Sequence, residues 1–66
     1  MSAVKLSLNA DDTITIRVGR AVEHVSILGK EHGQIFDAVK WALISKGVVF
    51  SELAITEELS RLRLAR

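Results

Sequence analysis

The sequence predicts one small domain that joins short β-structure to two helices. Three observations carry this: a six-residue alternation from Thr13 to Val18, an apolar stripe at helical spacing from Gln34 to Lys46, and a chain of 66 residues that is 48% apolar. At this length a second domain is excluded, because each half would fall below the size that folds alone. A mean hydropathy of +0.27 is high for so short a chain. It predicts apolar surface buried against a second copy. With no cysteine, disulfides, thiolate zinc sites and thiol nucleophiles are excluded, and a reducing, cytoplasmic setting is expected. Nine basic and eight acidic residues give a net charge of +1. That excludes a polybasic or acidic tail but leaves room for a local basic patch. The apolar runs are too short for a membrane span, and no signal peptide is readable.

Each element has its own local reason. Val4, Leu6 and Leu8 alternate with Lys5 and Ser7, which predicts a short strand or extended arm within residues 1–12. Asn9-Ala10-Asp11-Asp12 is a turn, since Asn and Asp side chains bond nearby backbone. In Thr13–Val18 every residue but Arg17 is β-branched, and such side chains fit a pleated strand. Ile14, Ile16 and Val18 face one way, and Thr13, Thr15 and Arg17 the other. Gln34–Lys46 is helical, with Ile35, Val39, Ala42 and Leu43 as its stripe, Trp41 and Ile44 widening it, and Gly47 as its stop. Trp41 is read as core. Ser51 is placed to N-cap a second helix, with Glu52 favoured by the dipole and Ile55, Leu59 and Leu62 as its stripe. Arg61, Arg63 and Arg66 sit at its end, where positive charge suits the dipole.

The segment Gly19–Gly33 has two readings. As a helix, it places Val22, Val25 and Leu28 on one face and ends at Gly33. Against this stand Ile27 off the stripe, Gly29 inside the helix at a cost of about 1 kcal/mol, and the weak helix propensity of Val and Ile. As a hairpin, Gly19-Arg20 forms a two-residue type II′ turn and Ala21–Ile27 returns. The register then pairs Val18 with Ala21, Ile16 with Glu23 and Ile14 with Val25. One of those pairs, Ile16 with Glu23, is poor. Local physics leaves the two nearly level.

Thr13-Ile14-Thr15-Ile16-Arg17-Val18, then the spaced Ala21-Val22, Val25 and Leu28, then Gly29-Lys30-Glu31-His32-Gly33, together resemble the ribbon-helix-helix family of phage, plasmid and antitoxin regulators. The resemblance runs from Thr13 to about Gly47. It implies a mainly α fold with a short β-ribbon, an intertwined homodimer, and an extra C-terminal helix. Residues 1–12 would be an arm or extra strand, 13–47 the core, and 48–66 the added helix, a surface for a possible protein partner. The alternative is an α+β domain, a β-meander (Val4–Leu8, Thr13–Val18, Ala21–Ile27) packed on the helix Gln34–Lys46.

The resemblance further implies a sequence-specific repressor or autoregulator that binds operator DNA through paired strands in the major groove. Thr13, Thr15 and Arg17 would contact bases. Arg donates two bonds to guanine, and Thr bonds base edges or meets a thymine methyl. Gln34, Ile35 and Phe36 would offer helix-start amides to phosphate, and Lys5 would reach the backbone. Ile14, Ile16, Val18, Val22, Val25, Leu28, Val39 and Leu43 would form the dimer core. The physics beneath this is that a lone strand must find a partner edge, which a second subunit can supply.

For each residue a plainer role competes. Thr13, Thr15 and Arg17 suit an ordinary solvent face of a sheet, and Lys5 a solvated lysine. His24 and His32 have no third ligand in register, so no metal site is expected. His24, beside Glu23, reads as a surface histidine. No nucleophile elbow, P-loop or dinucleotide fingerprint is present, Asp11 and Asp12 read as turn residues, and neither an enzyme nor a cofactor is expected. The competing function is a small α+β module that binds another protein as inhibitor or adaptor, without DNA.

Overall fold

The computed structural model describes residues 3–64. Three strands, β1 (Val4–Leu8), β2 (Thr13–Val18) and β3 (Ala21–Ser26), precede two helices, α1 (His32–Ser45) and α2 (Glu52–Arg61). The strands form one antiparallel meander with β2 in the middle. Helix α2 packs on β1 and α1 on β3, so the helices form a second layer over one face of the sheet. The fold is a small α+β domain.

The hairpin reading of the ambiguous segment is the one the chain adopts. Val18 pairs with Ala21, Ile16 with Glu23 and Ile14 with Val25. Gly19 takes φ 59°, the left-handed first turn position that a type II′ hairpin requires and glycine supplies. This corrects the expected helix from residue 21 to 28 and the mainly α class. It also removes the reason for an intertwined ribbon, because β2 finds β1 on one edge and β3 on the other within the same chain.

The core follows the alternation. Val4, Leu6, Ile14, Ile16 and Val18 from the sheet meet Ile35, Val39 and Leu43 of α1 and Ile55 and Leu59 of α2, all buried. Of the residues expected in a dimer core, Ile14, Ile16, Val18, Val39 and Leu43 are thus buried inside one chain. Val25 is only partly buried, and Val22 and Leu28 are exposed at 44% and 72%. Trp41 and Ile44, expected to widen the buried stripe, stay exposed on α1. They lie on the far side of the helix from Ile35, Val39 and Leu43, the i, i+4, i+8 row that meets the sheet.

The helix ends obey local chemistry. Glu31 and Gln34 form a capping box at the start of α1, with the Gln34 Oε1 accepting from the Glu31 N–H at 2.9 Å. At its end Gly47, at φ 68°, donates to the Ile44 carbonyl, and Val48 donates to that of Leu43. These are the two bonds of a Schellman stop. Helix α2 begins after Ser51 and ends in the same bond pattern through Arg63 and Leu64. Arg66 lies outside the described residues.

Candidate nucleic-acid interface

The sheet has two unlike faces. One is covered by the helices. The other is open and carries Lys5 and Ser7 from β1, Thr13, Thr15 and Arg17 from β2, and Val22, His24 and Ser26 from β3. The register aligns these in rows: Lys5 with Arg17 and Val22, then Ser7 with Thr15 and His24, then Thr13 with Ser26. None of these eight side chains is a carboxylate.

The face is electrically polar along the strands. Lys5 and Arg17 stand directly opposite each other, and Arg20 sits in the adjoining β2–β3 turn. Among the described residues none of these three cations takes part in an ion pair. At the other end the β1–β2 turn carries Asp11 and Asp12. Like charges facing directly across a strand pair are destabilising.

Toward the acidic end the face is tied together by hydrogen bonds. Asn9 donates through Nδ2 to the hydroxyls of Thr13 at 3.0 Å and Thr15 at 2.9 Å. Thr13 donates to Asp11 at 2.6 Å, and Thr15 meets His24 Nδ1 at 3.1 Å. Thr15 is buried beneath this network, with 8% exposure. Its hydroxyl is taken up by Asn9 and His24, and that of Thr13 by Asp11 and Asn9. Of the three expected base contacts, Arg17 alone is free, and Lys5 stands beside it.

The expected helix-start amides lie elsewhere. Gln34, Ile35 and Phe36 belong to α1, in the layer on the opposite side of the sheet from Arg17. The capping box occupies the Gln34 amide, and the Ile35 N–H bonds the Glu31 carbonyl at 2.9 Å. A carboxylate at that N-cap disfavours an anion beside it. Two residues that sequence reasoning passed over complete the face: Asn9, which read as a turn residue, and His24, which read as an ordinary surface histidine. The signal for His24 was the hairpin register, which sets it across from Thr15; Asn9 reaches the face from the β1–β2 turn, with no such signal.

The rest of the surface offers less converging chemistry. A cleft of about 640 Å³ lies where the start of α1 meets the end of the chain, lined by Ile27, Lys30, His32, Ile35 and Leu64 among others. The His32 ring there bonds the Leu64 carbonyl. Among the described residues no three of His, Cys, Asp or Glu gather to hold a metal. Nor is any described helix long and apolar enough to cross a membrane.

No family model, curated protein or solved structure matches this chain.

Proposed function

We propose that the protein binds double-stranded DNA through the open face of its three-stranded sheet, with β2 lying along the major groove. Three strands spaced about 4.8 Å apart present a face about 10 Å across between the outer strand axes. The major groove is about 12 Å wide. The observation that carries the reading is the carboxylate-free face with Lys5, Arg17 and Arg20 unpaired at one end. Lys5 and Arg20 serve the phosphates there, and Arg17 reaches a base edge. This keeps the strand-in-groove function implied by the ribbon-helix-helix resemblance but builds the reading surface from one chain. Repression or autoregulation follows from occupying an operator. A homodimer compatible with this reading uses the helical layer, where Trp41 and Ile44 are exposed, and leaves the open sheet face of each copy free.

Titrating labelled duplex DNA at several salt concentrations tests the proposal. Two phosphate-neutralising cations, Lys5 and Arg20, predict a log–log salt slope of about −2. Lys5→Ala should weaken binding to all sequences and flatten that slope by about one, and Arg17→Ala should cost about 1–3 kcal/mol on the specific site and relax specificity there. Retention of full affinity and slope by the double variant would sink the reading.

A second reading rests on a different observation. Trp41 is 62% exposed and Leu53 65%, both on the helical layer, and aromatic residues are enriched at protein interfaces. A protein–protein module would lose its partner on Trp41→Ala and be indifferent to Arg17→Ala.

A further inference from the structure

The hydrogen-bond chain on the open face fixes which nitrogen of His24 carries the proton, and this follows from counting hydrogens. A hydroxyl has one proton to give. Thr13 stands 2.6 Å from the Asp11 carboxylate, which accepts only, so the Thr13 proton lies on that bond. Asn9 must then give a proton to Thr13, which orients its amide with Nδ2 toward the two threonines. The second hydrogen of the same Nδ2 goes to Thr15, 2.9 Å away. The Thr15 hydroxyl accepts from Asn9 and keeps its own proton, and Thr15 is buried. The acceptor within reach of that proton is His24 Nδ1 at 3.1 Å. In the neutral ring the proton therefore sits on Nε2, because the bond made by one ring nitrogen sets the state of the other.

From this relay we infer that His24 presents a fixed Nε2–H donor on the open face and reads an acceptor on a base edge, guanine N7 or O6, beside Arg17. The inference rests on the DNA-binding reading above. It deepens it by naming a residue that selects sequence and a remote group, Asp11, that positions it. His24 is exposed and its ring lies one row along the sheet from Arg17. Lys5 and Arg17 are donors in every state they take at neutral pH. With Nε2–H added, the exposed face is dominated by donors, and guanine offers two acceptors in the major groove. Asp11, Asn9 and Thr15 are positioning residues. They need not touch DNA, but they decide whether His24 donates or accepts.

Two measurements test this, one without DNA. Long-range ¹H–¹⁵N spectra of the ring in mildly alkaline buffer should show the Nε2–H form in the wild type. Thr15→Val removes the hydroxyl donor and should give a mixture of the two tautomers, while Thr15→Ser restores the single form. A ring protonated on Nδ1 in the wild type overturns the inference. In the second measurement, duplexes are selected from a random pool, and affinity for the selected site is compared with affinity for random duplex. His24→Ala should reduce that ratio about fivefold, as expected for one lost hydrogen bond, with the loss confined to a guanine position. A ratio left intact by His24→Ala overturns the base-reading role even if the ring is Nε2–H. Wild-type protein that binds no duplex at low salt overturns the DNA-binding reading itself and the base contact with it. That outcome is distinguished from the preceding one by the missing wild-type signal.

Discussion

Strands β1 and β3 flank the same central strand, yet they are stabilised in different ways. On β1, Val4 and Leu6 are buried at 4% and 1% exposure. Its outer edge is capped at Leu6: the Leu6 N–H donates to Glu58 Oε1 at 3.0 Å, and the Leu6 carbonyl accepts from the Arg61 guanidinium at 2.6 Å. Two side chains of α2 thus substitute for a neighbouring strand. On β3 no residue is fully buried, and Glu23 stands where an apolar residue would pack against Ile16. The two-residue turn makes Val18–Ala21 a bonded pair, so Val22, His24 and Ser26 turn their backbone groups outward. Of these, the His24 N–H is covered by its neighbour Glu23 at 3.1 Å. One flank is an anchor and the other a lightly held platform, and the proposed base-reading histidine is on the platform.

Truncating the anchor should have the largest effect. Leu6→Ala removes a fully buried side chain between the sheet and the helices, and such changes cost about 2–5 kcal/mol. A domain this short has about 3–10 kcal/mol of stability in total, so this variant should be largely unfolded or close to it. Val25→Ala, on the platform and partly exposed, should cost about 1 kcal/mol. Chemical denaturation of both variants measures the contrast. Equal losses would show that β3 is held as firmly as β1.

The hairpin that attaches β3 comes next. Gly19 has φ 59°, a conformation that costs an L-residue about 1–2 kcal/mol. Gly19→Ala should lower stability by that amount. The loss should appear as well in faster amide exchange along β3, whereas β1 keeps its protection.

The same contrast explains what could be read from the sequence. Strand β2 and both helices follow from periodicity alone, since Ile14, Ile16 and Val18, and then Ile35, Val39 and Leu43, are spaced as their elements require. Strand β1 was readable as alternation. Strand β3 was not decided by local physics, because its burial is shallow and Glu23 interrupts its apolar side. A segment held by pairing rather than by burial leaves a weak pattern. The open face was half legible: Lys5 and Arg17 stand out as charges on the polar side of strands, but their adjacency depends on the β1–β2 register. The commitment of Thr13 and Thr15 to Asn9 and Asp11 comes from a turn folding back over the sheet, which no residue spacing announces, whereas that of Thr15 to His24 follows from the hairpin register.

The anchor's charged clamp should respond to acid. The Arg61 guanidinium hydrogen-bonded to Glu58 lowers its carboxyl below the usual range, opposed by burial and helped by the Leu6 N–H and the positive charges of Arg61 and Lys5. A carboxyl with a depressed folded-state pKa contributes stability that is complete above its unfolded value, about 4.3, and is lost as pH falls through the folded one. Glu58→Gln should therefore cost about 1 kcal/mol at neutral pH. The figure is modest because the Arg61 side chain is 56% exposed and solvent screens the pair. The gap between variant and wild type should close as pH is lowered below about 4. A gap unchanged down to pH 3 would mean that the clamp contributes through packing rather than charge.

The smallest expected change in stability tests the platform's edge. Glu23 has two partners: Lys46 at 3.7 Å across to α1 and the His24 N–H beside it. Glu23→Val removes a partly exposed ion pair of little value and places a β-branched side chain against Ile16. These effects nearly cancel, so stability should move by no more than about 0.5 kcal/mol. The edge, however, loses its guard. A charge that points inward from an edge strand is a standard means of blocking strand addition, and without it Val22, His24 and Ser26 present open backbone groups. Sedimentation velocity should show concentration-dependent self-association in Glu23→Val beyond that of the wild type. Glu58→Val should associate at the β1 edge only as far as it frees Leu6. If Glu23→Val sediments as the wild type does, β3 is blocked by its twist or by α1, and the difference between the two flanks lies in their burial alone.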